Sequence, residues 1–185
     1  MTGTQTAEIR TDKSVLTERC RLRFPDVADI PHIWTASRTP GFNDGLSWEP
    51  PIRLEDIHEP LRRAQTLWKN GIDYNFVIES RDEKAFIGWI AIHSGDTEGT
   101  WSIGYWIHPA QQGNGYAVEC ARAIVKFGFS VLHASLITAS HASWNSASGH
   151  VLRRAGLTYR RTNPRGFKKL DAWVEVFEYD IRFDG

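Results

Sequence analysis

The stretch that decides the fold of this chain is Gln112-Gly113-Asn114-Gly115-Tyr116-Ala117. A strand-like run, Thr100 to His108, precedes it, and the apolar spacing of an amphipathic helix follows it. Glycines at such a junction let the backbone adopt a positive φ and approach an anion closely. The free amides and the dipole at the start of the helix attract phosphate. The stretch therefore predicts a phosphate-binding loop.

Three interpretations of this loop compete. The plainest is an ordinary strand-to-helix turn that happens to contain two glycines. A dinucleotide-binding fingerprint is disfavoured, because the third glycine is absent and no acidic residue ends a second parallel strand. The third interpretation is an acyl-CoA loop of the pattern Gln/Arg-x-x-Gly-x-Gly/Ala, which residues 112–117 match in full. We favour the third.

Outward from the loop, the periodicity of apolar residues predicts alternating strands and helices. The order places one mixed sheet between helical layers, an α+β or mixed α/β architecture. The predicted elements are a strand at Leu16–Phe24, a short helix from Pro25, a helix at Leu54–Asn70, strands at Tyr74–Glu79, Ala85–His93 and Thr100–His108, a helix from Ala117 to Gly128, a strand at Ser135–Ser140, a helix at Asn145–Ala155, and strands at Leu157–Thr162 and Trp173–Phe183.

Length and composition predict one domain over residues 15–185, preceded by a loose tail over residues 1–14. The chain has 185 residues, of which 41% are hydrophobic, enough for a core of its own. Lysine plus arginine and aspartate plus glutamate both number 22, so the formal charge is 22 − 22 = 0 and no global field favours nucleic acid or an anionic membrane. The two cysteines, Cys20 and Cys120, form no metal or disulfide pattern. A cytoplasmic protein without a membrane segment is expected.

Several short stretches, in the right order, resemble the GCN5-related N-acetyltransferase (GNAT) superfamily, in particular its RimJ/RimL-type branch. The similarity covers roughly Leu16 to the C-terminus. Besides the loop and Glu119, it is carried by Leu16-Thr17-Glu18-Arg19, Ile103-Gly104-Tyr105-Trp106-Ile107, Asn145-Ser146-Ala147-Ser148 and Ala155-Gly156.

The resemblance implies a GNAT-like fold whose mostly antiparallel sheet splays between the strand ending near Ile107 and the strand Ser135–Ser140. It implies acetyl-CoA as co-substrate, no metal, and direct acetyl transfer to a primary amine in a ternary complex. The acceptor is a protein N-terminus or a small-molecule amine, and a homodimer is left open. The cofactor-binding residues implied are Ile107 and Asn145 for the pantetheine and, for the pyrophosphate, Gln112, Gly113, Asn114, Gly115, Tyr116 and Ala117.

For catalysis, the resemblance maps an asparagine and a serine near the sulfur onto Asn145 and Ser148, and we expect Ser148 to protonate the leaving thiolate. Their spacing places both on one helix face. Taken without the family, Asn145 is an N-cap and Ser148 a helix serine bonded to the backbone. Where many relatives carry an acidic tyrosine in this helix, the chain has Leu152.

The general base is left unassigned, because Ser102 and Ser140 stand where relatives often have glutamate. This gap leaves a second function open, a catalytically idle acyl-CoA-binding or sensing domain. Trp48 is the expected wall of an acceptor pocket. The weak candidates for the base are Asp44, Glu49, His93, His108 and His141, and the basic cluster Arg160, Arg161, Arg165, Lys168 and Lys169 is interpreted as a solvated hairpin.

Overall fold

The computed structural model describes residues 9–183, and over this range it contains one eight-stranded sheet and four α-helices. The strands lie in the order β1-β2-β3-β4-β5-β6-β8-β7. Their bounds are β1 Val15–Leu16, β2 Cys20–Arg23, β3 Asp73–Ser80, β4 Phe86–Ser94, β5 Thr100–Ile107, β6 Leu136–Ala142, β7 Thr158–Lys169 and β8 Ala172–Arg182. The helices are α1 Ile30–Ser37, α2 His58–Lys69, α3 Tyr116–Ser130 and α4 Ser146–Arg154.

The predicted α+β architecture with a mixed sheet is confirmed, because every strand pair is antiparallel except β5 with β6. That parallel pairing spans only Thr100 to Ser102 on β5 and Leu136 to Thr138 on β6. Beyond Ser102, β5 continues to Ile107 without a partner on this side. The sheet is therefore splayed at the place that the resemblance implied.

The core lies between α3 and one face of the sheet. Cys120, Ala121 and Ile124 of α3 are fully buried in the same cluster as Ile90 and Ile92 of β4. Side chains of a strand alternate between faces, so Trp89 lies on the opposite face, where it packs with α1 and α2 in a second cluster.

The first strand was predicted as one element from Leu16 to Phe24, and this was wrong. Thr17 accepts a bond from Cys20 N at 2.8 Å through its Oγ1, and its own N–H donates to Cys20 O at 2.9 Å. A threonine side chain that bonds nearby backbone in this way favours a turn over a continuous strand. The chain therefore reverses after Leu16, and β1 and β2 pair as an antiparallel ribbon.

The strand predicted at Leu157–Thr162 is longer in the structure, because β7 runs on to Lys169. Pro164 and Gly166 occupy an irregular stretch where the register against β8 shifts between Asn163 and Phe167. Edge strands tolerate proline at such irregularities, since the missing N–H faces away from the ladder.

The predicted tail overlaps the described residues only in part, because residues 1–8 lie outside them. Within the overlap, Ile9 packs on the main core and its carbonyl accepts a hydrogen bond from Trp68 Nε1 at 2.8 Å. No helix of the described residues is both long and apolar enough to cross a bilayer.

Candidate active site

The predicted phosphate loop folds as a tight turn onto the first residue of α3. Gly113 and Gly115 adopt φ angles of +81° and +79°, which residues with a Cβ resist. A Cβ built on Gly113 would meet no atom within 4 Å, so the space above the loop is open. The first amides of α3 have no helical acceptor, and no hydrogen bond within residues 9–183 uses those of Tyr116, Ala117 or Val118.

The loop is also held by its own side chains. Asn114 Nδ2 donates to the carbonyls of Gln111 and Gln112 at 3.1 and 3.3 Å, which fixes the turn before the helix. Gln112 Nε2 donates to Ile107 O at 3.2 Å, which ties the loop to the end of β5. The sequence-predicted residues Ile107 and Gln112 to Ala117 thus form one continuous surface.

An arginine that the sequence interpretation gave no role braces this loop from the turn between β1 and β2. Arg19 donates through Nη1 to Asn114 O at 3.0 Å, and its guanidinium lies 4.7 Å from the centre of the Tyr116 ring. Its Nη2 lies 3.6 Å from the position that a Cβ on Gly115 would take. A positive charge therefore stands beside the open face of the loop.

Glu119, in the first turn of α3, holds that arginine in place. Its carboxylate accepts from Arg19 Nε at 2.7 Å, from Arg19 N at 2.8 Å and from Thr17 Oγ1 at 2.5 Å. Burial acts to raise the pKa of Glu119, but the hydrogen bonds from Thr17 and Arg19 outweigh it, so the net shift is downward. The group is therefore a stable anion that fixes the arginine next to the loop.

The free edge of β5 faces the splay. His108 N–H donates to Ile87 O on β4 at 2.8 Å, and in an antiparallel ladder the polar groups of the preceding residue point the other way. The backbone of Ile107 therefore faces the gap. The edge offers main-chain partners for an extended ligand, as β-augmentation requires.

Ser148 lies in the first turn of α4, where it meets Tyr105 of β5 across the splay. Their hydroxyl oxygens are 2.7 Å apart, and Tyr105 Oη is also 3.2 Å from Ser148 O. Burial raises the pKa of Tyr105 to about 12, although the hydrogen bond to Ser148 acts in the opposite direction. The phenol is therefore protonated at neutral pH. Within residues 9–183, no hydrogen bond joins Ser148 Oγ to the carbonyl of Trp144, four residues earlier.

Asn145 is the N-cap of α4, since its Oδ1 accepts from Ser148 N at 3.0 Å. Its Nδ2 faces the loop before α2, 3.4 Å from the position of a Cβ on Gly45. Asn145 thus positions the helix turn that carries Ser148, and it keeps one amide group directed at the neighbouring loop.

A cavity of about 420 Å³ joins this hydroxyl pair to the second face of the sheet. Ser148, Tyr105 and Asn145 line one end. Gly104 contributes no side chain, and a Cβ there would meet nothing within 4 Å. The other lining residues are Gly45, Leu46, Ser47, Trp48, Asn75, Trp89, Ala91, His93, Ile103, Trp106, Ser140, His141 and Phe167.

The loop that carries Trp48 is held over the cavity from two sides. Phe42 packs edge-on against Trp106 and Trp48, with ring centres 5.4 and 6.2 Å apart. Lys169, at the end of β7, donates through Nζ to the carbonyls of Leu46 and Trp48 at 3.1 and 2.9 Å. The expected pocket wall at Trp48 is therefore part of a fixed cavity.

The basic cluster of the last hairpin is mostly engaged within the protein. Arg160 pairs with Asp180 at 2.7 Å and Arg161 with Glu178 at 2.5 Å. These pairs line a wider groove of about 670 Å³, which contains neither Ser148 nor the phosphate loop. Exposed pairs of this kind contribute little to stability, so Arg160 and Arg161 agree with the interpretation of a solvated hairpin, whereas Lys169 departs from it because its Nζ is bonded to the Trp48 loop.

The five base candidates are separated by the fold. Asp44 is exposed, and Glu49 is bonded to Leu170 N at 3.3 Å, both outside the cavity lining. His108 contacts Thr35, with Nε2 and Oγ1 3.2 Å apart, and also lies outside it. Of the five, only His93 and His141 line the cavity.

Sequence reasoning missed the roles of Arg19 and Tyr105, although both stand in stretches that carried the resemblance. Arg19 is 100 residues from Glu119, and Tyr105 is 43 residues from Ser148. A single sequence contains no signal that joins such distant positions. The repeated apolar pattern around Tyr105 indicated only a core strand.

Comparison with known proteins agrees with this geometry. Residues 19–158 match a family model described as an acetyltransferase (GNAT) domain. The chain is 30% identical over 106 residues to an uncharacterized N-acetyltransferase of Bacillus subtilis, YnaD, covering 57% of this chain and 62% of that relative. The chain therefore matches less than two thirds of that curated relative.

Two solved structures share the fold. A structure described as a putative ribosomal-protein-serine acetyltransferase from Vibrio cholerae superposes with a TM-score of 0.82 at 19% identity, over 94% of this chain and 99% of that one. RimL, a ribosomal L7/L12 alpha-N-protein acetyltransferase solved with coenzyme A, gives a TM-score of 0.82 at 18% identity, over 93% and 99%.

Proposed function

The chain belongs to the GNAT acetyltransferase family, and on that premise we propose that it transfers the acetyl group of acetyl-CoA to a primary amine by direct transfer in a ternary complex. The observation that carries this proposal is the Ser148–Tyr105 hydroxyl pair, which joins β5 to α4 and lines the cavity. One side of the splay suits the co-substrate and the other suits an acceptor.

We assign the pyrophosphate of acetyl-CoA to the amides of Gly113 to Ala117. The residues fit this group, because the space over Gly113 is open and the first amides of α3 are unpaired within residues 9–183. The pantetheine arm then follows the free edge of β5 at Ile107, with the amide of Asn145 near its end. RimL, which has the same fold, was solved with coenzyme A.

In the proposed reaction, the acceptor nitrogen attacks the thioester carbonyl carbon, a C–N bond forms, and the C–S bond breaks. The electron pair of that bond stays on sulfur, which takes the proton of Ser148 Oγ and leaves as the CoA thiol, while Ser148 regains a proton from solvent. Either oxygen of the pair can be the donor, and the proposed step requires Tyr105 to donate to Ser148 Oγ, so that the serine proton points at the sulfur. Proton transfer by a positioned group contributes about 10²–10⁴-fold to a rate.

We propose that the acceptor amine occupies the 420 Å³ cavity under Trp48. Its aromatic walls, combined with polar side chains such as Asn145, Ser148 and His93, are typical of a site for a small ligand or for the first residue of a peptide. A protein N-terminus is supported by the RimL fold neighbour, and a small amine by the limited volume. A comparison of N-terminal peptides with small primary amines distinguishes the two acceptor classes.

The test is the release of CoA thiol from acetyl-CoA across a panel of N-terminal peptides and small primary amines. Two variants separate the roles of the site, Ser148→Ala at the proton donor and Gly115→Glu at the phosphate loop. We expect turnover to be lost in both and CoA binding, measured by calorimetry, to be lost only in Gly115→Glu. CoA binding by the wild type without turnover on any amine would favour an idle acyl-CoA-binding domain instead.

A further inference from the structure

An acceptor amine must lose a proton during transfer, and the cavity shows which group is suited to take it. Three titratable side chains line the cavity within the described residues, Tyr105, His93 and His141. Tyr105 is a protonated phenol engaged with Ser148, so it cannot act as a base at neutral pH. The choice lies between the two histidines.

His141 has both ring nitrogens engaged. Its Nδ1 lies 2.8 Å from Ala142 O, and since a carbonyl only accepts, this nitrogen carries the proton. Its Nε2 lies 3.3 Å from Tyr179 Oη, and a Cβ on Gly149 would stand only 2.7 Å from it. The ring is 6% exposed and enclosed by α4. No lone pair of His141 is free for a substrate.

His93 has a different environment, because an aspartate on the neighbouring strand orients it. Asp73 is its direct cross-strand partner in the β3–β4 register, and His93 Nδ1 lies 3.1 Å from Asp73 Oδ2. The other carboxylate oxygen, Oδ1, accepts from Ser94 N at 3.2 Å, which fixes the acid. The aspartate side chain is 18% exposed and the histidine 40%. The acid is thus sheltered while the imidazole reaches the cavity.

This arrangement sets the tautomer of the ring. A carboxylate accepts a hydrogen bond, so Nδ1 carries the proton and Nε2 holds the free lone pair. No hydrogen bond within residues 9–183 uses His93 Nε2. On the β5 side the register partner is the uncharged Ser102, and the turn after β4 carries the exposed acids Asp96 and Glu98. The charged group in contact with the ring is therefore the carboxylate of Asp73.

We propose that His93 is the general base for the acceptor amine and that Asp73 is its positioning residue. In this step the Nε2 lone pair takes one proton from the attacking nitrogen, directly or through one water, as the C–N bond forms. The proton is carried as imidazolium beside the Asp73 carboxylate and is then released to solvent through the exposed part of the ring. The proposal rests on the proposed acetyl transfer and adds the group that the sequence left unassigned.

The experiment compares His93→Gln and Asp73→Asn with the wild type in the dependence of kcat/KM for the acceptor on pH. We expect His93→Gln to lower kcat/KM about 10²–10⁴-fold, the range of a positioned proton acceptor. The deficit in kcat/KM should narrow at high pH, where hydroxide can take the proton that His93 takes in the wild type. Asp73→Asn should cause a smaller loss and move the acid limb of the profile. CoA affinity should stay within about twofold in both, because the phosphate loop is untouched.

The matched control is His58→Gln, which removes an exposed histidine at the start of α2. Its kcat/KM profile should follow the wild type. Turnover in His93→Gln with an unchanged acid limb would overturn the assignment of the base and leave the transferase intact. Should His93→Gln not fold, an Asp73→Asn profile identical to that of the wild type would overturn it equally. A wild type that binds CoA and acetylates no amine would overturn the proposed function, and the base with it.

Discussion

The hydroxyl pair between Tyr105 and Ser148 allows a quantitative test of the proposed acid. Tyr105→Phe removes one oxygen and its 2.7 Å contact without creating a large cavity. A hydrogen bond between neutral groups contributes about 1 kcal/mol net, and a loss of 1.4 kcal/mol is tenfold in rate. We therefore expect kcat to fall about five- to tenfold in Tyr105→Phe and about 10²-fold or more in Ser148→Ala, where the donor itself is absent.

The double variant discriminates a shared role from two separate ones. If Tyr105 acts only through Ser148, the phenol has nothing to orient in Ser148→Ala, and the double variant should be no slower than Ser148→Ala alone. The assay is CoA thiol release at saturating acetyl-CoA, with KM for acetyl-CoA measured alongside. If the losses of kcat in the two single variants multiply in the double variant, Tyr105 does not act through Ser148. An unchanged kcat in Tyr105→Phe would refute the same role.

A matched control exists on β7. Tyr159 Oη and Thr162 Oγ1 are 2.8 Å apart on the exposed hairpin, so Tyr159→Phe removes a similar bond away from the cavity. Its kcat should equal that of the wild type.

The raised pKa of Tyr105 adds a dependence on alkaline pH. Since burial raises the folded-state pKa from 10.0 to about 12, the stability linked to this group is fully present below pH 10 and is lost as pH rises from 10 towards 12. Tyr105→Phe should lose less stability than the wild type over that interval. Ionisation of Tyr105 should also not limit the rate below about pH 10.

Three further predictions concern the phosphate loop and the cavity. Arg19→Ala should weaken CoA binding, measured by calorimetry, about tenfold. This is the low end of the range for a charge-assisted hydrogen bond, because the Arg19 side chain is half-exposed. The control Arg21→Ala, at an exposed position on the same ribbon, should leave CoA binding unchanged. Because the pKa of Glu119 is lowered in the folded state, its contribution to stability is present above pH 4.5 and is lost as the pH falls below that value. The melting temperature of Glu119→Gln should therefore vary less with acid pH than that of the wild type. Gly104→Ala should leave the melting temperature unchanged or slightly higher, since its Cβ meets nothing, while raising KM for the acceptor.

Local patterns made much of the fold predictable. The helix α3 and the glycine turn before it are specified within about 20 consecutive residues, and the predicted start at Ala117 differs from the observed start at Tyr116 by one residue. The central strands β3, β4 and β5 were placed correctly for the same reason. The predictions failed at two places where a side-chain hydrogen bond or a partner strand determines the local structure. These are the turn at Thr17 and the irregular part of β7 after Asn163.

The two halves of the site differ in how far apart their residues lie in the sequence. The proposed co-substrate half is centred on one contiguous loop, braced by Arg19 and Glu119, so the loop could be predicted from sequence but the brace could not. The proposed acceptor half is assembled from the loop at Trp48, the four strands β3 to β6, the start of α4 and the last hairpin, so its residues are spread from Gly45 to Phe167. No short motif can therefore encode the acceptor.

This division also explains how the acceptor can vary while the fold stays constant. The position of the Trp48 loop depends on two carbonyl bonds from Lys169, more than 120 residues away, and on ring contacts of Phe42. Changes in the hairpin or in that loop reshape the cavity wall without touching Ser148, Tyr105 or the phosphate loop. The proposed function therefore assigns the chemistry of transfer to one set of elements and the choice of amine to another. It follows that substitutions at Lys169 should alter KM for the acceptor and leave CoA affinity unchanged. Substitutions at Arg19 should do the opposite, weakening CoA binding and leaving KM for the acceptor unchanged.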